Sequence, residues 1–339
     1  MNKPGDNMRF CIKKAALFVA VFIAGIACAF SKEAVFEGED YSIELSYNDS
    51  ACPGDAVFVR MKFTQTSRKN KVSRTEFGST EASMEFFAGE NKLSQSQFYQ
   101  LPKSSSRTVL TMLSGIPLSS WLDSEEKYSV KITYSLYGQK KYEFSLPVKI
   151  EPKTFVSETL DLDENNTMIK TDTSPERMRQ IAELNDILAT TDMQSVYQTT
   201  SFAAPTDSTR RTSFFADRRV YAYTNGKSST SLHNGIDYGI PEGTNVLSCA
   251  AGKVVLAKSR ISTGWSVVIE HLPGLYSLYY HMSSLNVKEG DTVKQGDLIG
   301  LSGSTGLATG PHLHWEVRLN MAAVSPDFFL NNFAFESLQ

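Results

Sequence analysis

Hydrophobic and polar residues alternate in short regular runs along much of this chain. Tyr41, Ile43, Leu45 and Tyr47 alternate with polar neighbours, and Val57, Val59, Met61 and Phe63 repeat the pattern after the turn Pro53-Gly54-Asp55. Tyr128, Val130, Ile132, Tyr134 and Leu136 follow; Gly138-Gln139 then turns the chain, and Tyr142, Phe144 and Leu146 alternate again. A period of two buries one face of a strand and wets the other. Residues 33–152 are therefore expected to form a β-sandwich module, and the fold class is mainly β.

The pattern changes over residues 153–211. Asp161, Asp163, Glu164, Asn165 and Asn166 form a polar stretch, and Ser174-Pro175 has the form of an N-cap followed by proline at the first helical position. Met178, Ile181, Leu184 and Leu188 fall at helical spacing, so a short amphipathic helix is expected in a linker. Packing is the expected role of this helix; a plug over a neighbouring cleft is the alternative. Residues 212–330 return to β pattern punctuated by glycine. Lys253 to Leu256, Ser266 to Glu270 and Leu275 to Tyr280 are strand candidates. Gly303, Gly306 and Gly310 form a flexible loop just before His312.

Composition changes this picture at the N-terminus. Lys3, Arg9, Lys13 and Lys14 precede an apolar run from Ala15 to Phe30, with Ala27-Cys28-Ala29 as a small-residue cleavage site, so residues 1–29 are expected to be a signal peptide. The run is shorter than the roughly 20 residues of a spanning helix, which disfavours an uncleaved anchor. Lipidation at Cys28 is disfavoured because Gly25 stands where a lipobox has a larger aliphatic residue. The expected location is the periplasm or cell envelope, compatible with peripheral membrane or envelope association. The whole chain carries a net charge of −3; removing four positive charges and Asp6 gives −3 − 3 = −6. Such a balance argues against nucleic acid as partner. Beyond that segment two cysteines remain, Cys52 and Cys249, expected to be buried thiols in different domains. Nothing in the sequence sets an oligomeric state.

The candidate chemistry is concentrated near the C-terminus. No histidine precedes residue 233, and four of the five fall in His233-Asn234-Gly235-Ile236-Asp237, Tyr280-His281-Met282 and His312-Leu313-His314. On a strand, His312 and His314 would share one face, with Leu313, Trp315 and Val317 directed to the core. Two imidazoles and one carboxylate make a three-ligand set that leaves a position open on zinc, the pattern of hydrolytic rather than structural sites. Each motif alone is weak; together they point to a zinc hydrolase. His271, at a strand end before Pro273-Gly274, is expected to be structural.

Over residues 213–330 the chain resembles the M23 zinc metallopeptidases, the LytM or lysostaphin-type peptidoglycan hydrolases. The resemblance rests on His233-Asn234-Gly235-Ile236-Asp237-Tyr238-Gly239, Gly252-Lys253-Val254-Val255, Tyr280-His281-Met282, Gly303-Ser304-Thr305-Gly306 and Gly310-Pro311-His312-Leu313-His314-Trp315-Glu316-Val317-Arg318. It covers roughly a third of the chain. It implies one zinc held by His233, Asp237 and His314, with His312 as general base on the metal-activated water. It also implies that His281 steadies the oxyanion in cationic form or orients water and substrate. The implied activity is endopeptidase cleavage of cross-links between peptidoglycan peptide stems. Two departures stand out: Ala216 where glycine is frequent, and Trp265 where a small or amide residue is usual beside Gly264. Neither touches the proposed ligands. The sandwich lies outside the resemblance; it is similar to immunoglobulin-like modules in architecture only.

Two other readings compete. A catalytically silent LytM-like module that activates another cell-wall hydrolase is disfavoured because all three ligands and both accessory histidines are present. Val287 to Asp297 resembles the turns of biotinyl or lipoyl carrier domains, but no lysine stands in a Met-Lys-Met type hairpin.

Overall fold

The computed structural model describes residues 32–37, 41–66, 79–102, 105–136, 141–331 and 333. The expected signal peptide, residues 1–29, lies outside the described residues. The described residues divide into two compact units, one within 32–116 and 121–152 and the other within 117–120 and 153–333.

The first unit is built from two five-stranded sheets. One runs in the order Lys32–Glu37, Tyr41–Tyr47, Ala56–Gln65, Val109–Pro117 and Tyr99–Gln100; the other runs Ser50–Ala51, Lys141–Ile150, Tyr128–Ser135, Glu81–Ala88 and Asn91–Gln97. The alternating residues form the seam between them. Ile43, Leu45, Met61 and Phe63 from one sheet are fully buried or nearly so, as are Val130, Ile132 and Leu146 from the other. Ring contacts cross the seam, with Phe63 and Tyr134 centroids 5.7 Å apart and Phe36 and Phe144 5.0 Å apart. Among the described residues these sheets have ten strands, against the seven to nine of immunoglobulin domains.

The second unit centres on an antiparallel eight-stranded sheet. Its strands run Arg211–Ser213, Gly235–Tyr238, Leu313–Leu319, Leu275–Met282, Gly264–Leu272, Gly252–Arg260 and Thr292–Val293, and Ala322–Val324 also pairs with Leu313–Leu319. The strands expected around residues 253–256, 266–270 and 275–280 are all present, each longer than its sequence signal. One face is a dry core: Leu313, Trp315 and Val317 show no exposed surface, as alternation requires.

The stretch expected as a linker packs onto this unit. The helix Pro175–Ala189 starts at the N-cap Ser174, whose side chain accepts from the Arg177 amide. Leu188 is buried with Leu256, Val268, Tyr276, Leu278 and Tyr280, and Leu184 and Ile187 pack against that cluster. Met178 and Ile181 stay exposed, so the buried stripe is narrower than the helical spacing suggests. A second helix, Glu164–Thr171, is capped by Asp163, whose carboxylate accepts from the Asn166 amide. Ser157–Asp161, which reads as polar linker, is a strand. It pairs in parallel with Arg218–Ala222, which in turn pairs antiparallel with Ser228–Leu232. Among the described residues no helix is long and apolar enough to cross a membrane.

Candidate metal and catalytic site

Strand register assembles the site. Asp237 on Gly235–Tyr238 lies directly opposite His314 on Leu313–Leu319, and His314 lies opposite Tyr280 on Leu275–Met282. Gly235 permits this pairing, because a Cβ there would meet the Trp315 carbonyl oxygen at 2.3 Å. His233 follows the hairpin strand Ser228–Leu232 and enters the same point from the side. His233 Nε2 is 3.0 Å from Asp237 Oδ1 and 3.0 Å from His314 Nδ1, and His314 Nδ1 is 2.9 Å from Asp237 Oδ1. All three residues are buried.

The remaining ring nitrogens fix which atoms carry lone pairs. His233 Nδ1 donates to the Phe214 carbonyl at 2.8 Å, and His314 Nε2 faces Glu316 Oε2 at 3.4 Å. When both rings are neutral, Nε2 of His233 and Nδ1 of His314 are acceptors aimed at the Asp237 carboxylate. Three lone pairs converging in a buried site repel one another unless a cation lies among them. A tetrahedral zinc at ~2.0–2.1 Å from each atom needs edges of roughly 3.3 Å, a few tenths wider than the triangle here. The donor set therefore fits such an ion after a small opening.

The electrostatics favour positive charge at this point. Burial lowers the His314 pKa, but Asp237 and Glu316 outweigh it and push it up to about 9. Burial opposes ionisation of Asp237, yet the two imidazoles hold it well below the usual carboxylate range. His233 is pulled down, chiefly by burial. Behind these atoms stand groups that the sequence reading did not assign a role. Arg219 Nη2 is 3.1 Å from Asp237 Oδ2, and its Nε is 2.8 Å from Glu158 Oε1. Glu316 carries Arg318 on its other oxygen. Tyr280 stacks on the His314 ring at 5.3 Å and 7°. Glu316 and Arg318 were legible in principle, since both fall two and four residues after His314 on the same strand face.

Two further imidazoles flank the triangle. His312 pairs with Gly303 in an isolated bridge just before its strand. Its Nδ1 donates to the Gly310 carbonyl at 2.8 Å, leaving the Nε2 lone pair 3.9 Å from Asp237 Oδ1. His281 Nδ1 donates to the Thr305 carbonyl at 2.7 Å, and its ring centroid is 4.6 Å from that of His312. His281 has φ 62°, a left-handed conformation that non-glycine residues rarely hold without compensation. Burial, with His312 and His314 nearby, lowers its pKa to about 3. That shift favours the neutral ring.

The glycine-punctuated loop supports both rings. Thr305 Oγ1 accepts from the Trp265 amide, and Asn166 of the capped helix donates to the Ala308 carbonyl at 3.3 Å. Trp265 is 40% exposed. Ala216, in the glycine-frequent position, has φ 63° and donates its amide to the His233 carbonyl at 2.7 Å. His271 lies apart from the site, fully buried, with Nδ1 donating to the Ala251 carbonyl and Nε2 2.7 Å from Ser277 Oγ. Cys249 is a buried thiol beside it, its sulfur 3.8 Å from His271 Nε2.

Comparison with known proteins agrees with this arrangement. The model of peptidase family M23 matches residues 231–326. The peptidoglycan DD-endopeptidase ShyA of Vibrio cholerae is 41% identical over 114 residues, 33% of this chain and 26% of that protein. The DD-carboxypeptidase/endopeptidase Mpg of Neisseria meningitidis is 44% identical over 95 residues, 28% of this chain and 22% of that one. The chain thus spans about a quarter of the length of the curated relatives it matches. A crystal structure from Pseudomonas aeruginosa described as a peptidase M23 aligns over 84% of this chain and 96% of its own, with TM-score 0.50 and 22% identity, a likeness of fold. The match to the model of peptidase family M23, residues 231–326, spans the His233, Asp237 and His314 triangle and both flanking imidazoles.

Proposed function

We propose that the protein is a zinc-dependent endopeptidase that hydrolyses peptide cross-links of cell-wall peptidoglycan outside the cytoplasm. The carrying observation is the convergence of three buried ligand-type atoms beside two imidazoles that each commit Nδ1 to a backbone carbonyl. His233, Asp237 and His314 would hold the metal, which, when bound, supplies Lewis acidity to a peptide carbonyl and acidifies an attacking water. His312 Nε2 accepts the proton of that water, because its Nδ1 is committed to the Gly310 carbonyl. The same atom then returns the proton to the leaving amine. His281 orients water and substrate while neutral; a proton on its Nε2 becomes favourable only against the negative charge of the tetrahedral intermediate.

The substrate class rests on the relatives. ShyA is a peptidoglycan DD-endopeptidase and Mpg a DD-carboxypeptidase/endopeptidase, which supports peptide stems as the target here. The basic N-terminus followed by the apolar run from Ala15 to Phe30 supports export to the same compartment. The test is digestion of purified peptidoglycan sacculi with zinc-loaded protein, scoring newly released amino and carboxyl termini. Release by the native chain and none by His312→Ala is the expected result. No release by either discards the reading.

A further inference from the structure

Glu158 and Arg219 both lie outside the residues matched by the family, 231–326, yet they reach its ligand set. Ser157–Asp161 pairs in parallel with Arg218–Ala222, and the register sets Glu158 beside Arg219. The Arg219 side chain is only 10% exposed. It bridges Glu158 Oε1, 2.8 Å from its Nε, and Asp237 Oδ2, 3.1 Å from its Nη2. Asp237 Oδ1 is the oxygen aimed at His233 and His314.

We infer that Glu158 and Arg219 are a positioning pair that holds Asp237 as a one-oxygen ligand and tunes the affinity of the metal site from outside the peptidase core. This rests on the zinc reading above. A carboxylate with both oxygens available can swing to bidentate binding and fill the position that a catalytic site keeps open. Arg219 occupies the second oxygen and forbids that swing. Its charge has a cost, because a guanidinium beside a ligand repels a dication. Glu158 neutralises that charge.

A matching pair stands behind the other strand, where Glu316 contacts His314 Nε2 at 3.4 Å and carries Arg318. Asp237, Glu316 and Glu158 against Arg219 and Arg318 give 2 − 3 = −1 around the ligands. Without Glu158 the sum is zero, and of these carboxylates Arg219 keeps only Asp237, itself a proposed ligand. The strand Ser157–Asp161, which reads as polar linker, thereby becomes part of the site's support.

The experiment is zinc titration of the metal-stripped full chain against a chromophoric chelator. Glu158→Gln keeps the shape and removes the charge. Zinc affinity falls about tenfold, at the lower end of the range for groups that orient metal ligands. In Glu158→Gln/Arg219→Gln the offending cation is gone, and affinity recovers most of that loss. A merely structural role lowers the melting temperature of the stripped protein in both variants and gives no such rescue. Glu158→Gln binding zinc as tightly as the native chain overturns the inference, and so does a double variant no tighter than the single one. Failure of the native chain to bind zinc is a different outcome: it removes the zinc reading itself, and this pair's role with it.

Discussion

His281 and His312 face one another with ring centroids 4.6 Å apart, and each has its Nδ1 committed to a backbone carbonyl, of Thr305 and Gly310 respectively. Two loop carbonyls thus set two tautomers, and both Nε2 atoms are left for chemistry. The loop from Gly303 to Gly310 matters as a tautomer-setting frame as well as a flexible connection.

The first prediction separates these two rings. His312→Ala should lower turnover on peptidoglycan about 10²–10⁴-fold, the usual worth of a placed general base. His281→Ala should cost about 10²-fold through lost orientation and charge stabilisation. Both variants should retain zinc, since neither residue belongs to the ligand triangle. Loss of zinc from His312→Ala, measured by metal analysis, would assign it to the ligands instead.

Gly235 tests the register. A Cβ at this position would stand 2.3 Å from the Trp315 carbonyl oxygen and 2.9 Å from His314 Nε2. Gly235→Ala must push apart the strands bearing Asp237 and His314. Zinc affinity should fall at least tenfold, with a stability loss of about 1–3 kcal/mol for the forced shift. A variant with native zinc affinity in the chelator competition would show that the two strands tolerate separation.

His271 gives a pH prediction free of the metal site. Burial depresses its pKa from 6.5 to about 4. The unfolded chain therefore binds this proton first as pH falls. The stabilising contribution is complete above pH 6.5 and is lost progressively down through about 4, amounting to about 3 kcal/mol at full extent. His271→Gln should be less stable at neutral pH yet flatter across that window in denaturant titrations of the second unit. Equal slopes for native and variant would contradict a buried neutral histidine.

Leu188 tests the packing of the helix Pro175–Ala189. It is 3% exposed and shares a cluster with Val268, Leu278 and Tyr280. Leu188→Ala should destabilise the second unit by about 2–3 kcal/mol. Met178→Ala on the exposed side of the same helix should change stability by less than about 0.5 kcal/mol. Similar costs for the two would mean that the buried stripe is misassigned.

The legible parts of the chain are those where local pattern and tertiary environment agree. Tyr41 to Tyr47 and Leu313 to Val317 alternate because one face of each strand meets a core, so their strands follow from period two alone. The helix after Ser174-Pro175 follows from its cap. Ser157 to Asp161 was not legible, because its burial is slight and its pairing with Arg218–Ala222 is a long-range contact. Met178 and Ile181 have the right spacing but lie on the side of the helix that no strand covers. The histidine and aspartate cluster was legible as chemistry, whereas Arg219 was not. It has no motif of its own, and only the register places it against Asp237. The lowered pKa of His281 likewise depends on burial and on neighbours far away in sequence.

The most direct measurement is the zinc content of the folded full chain after dialysis against trace zinc, by native mass spectrometry, for the native protein and for His314→Ala. The account predicts one zinc per native chain and none in the variant, with both folded. A folded native chain that takes up no zinc, or a variant that keeps it, would contradict a metal held by His233, Asp237 and His314.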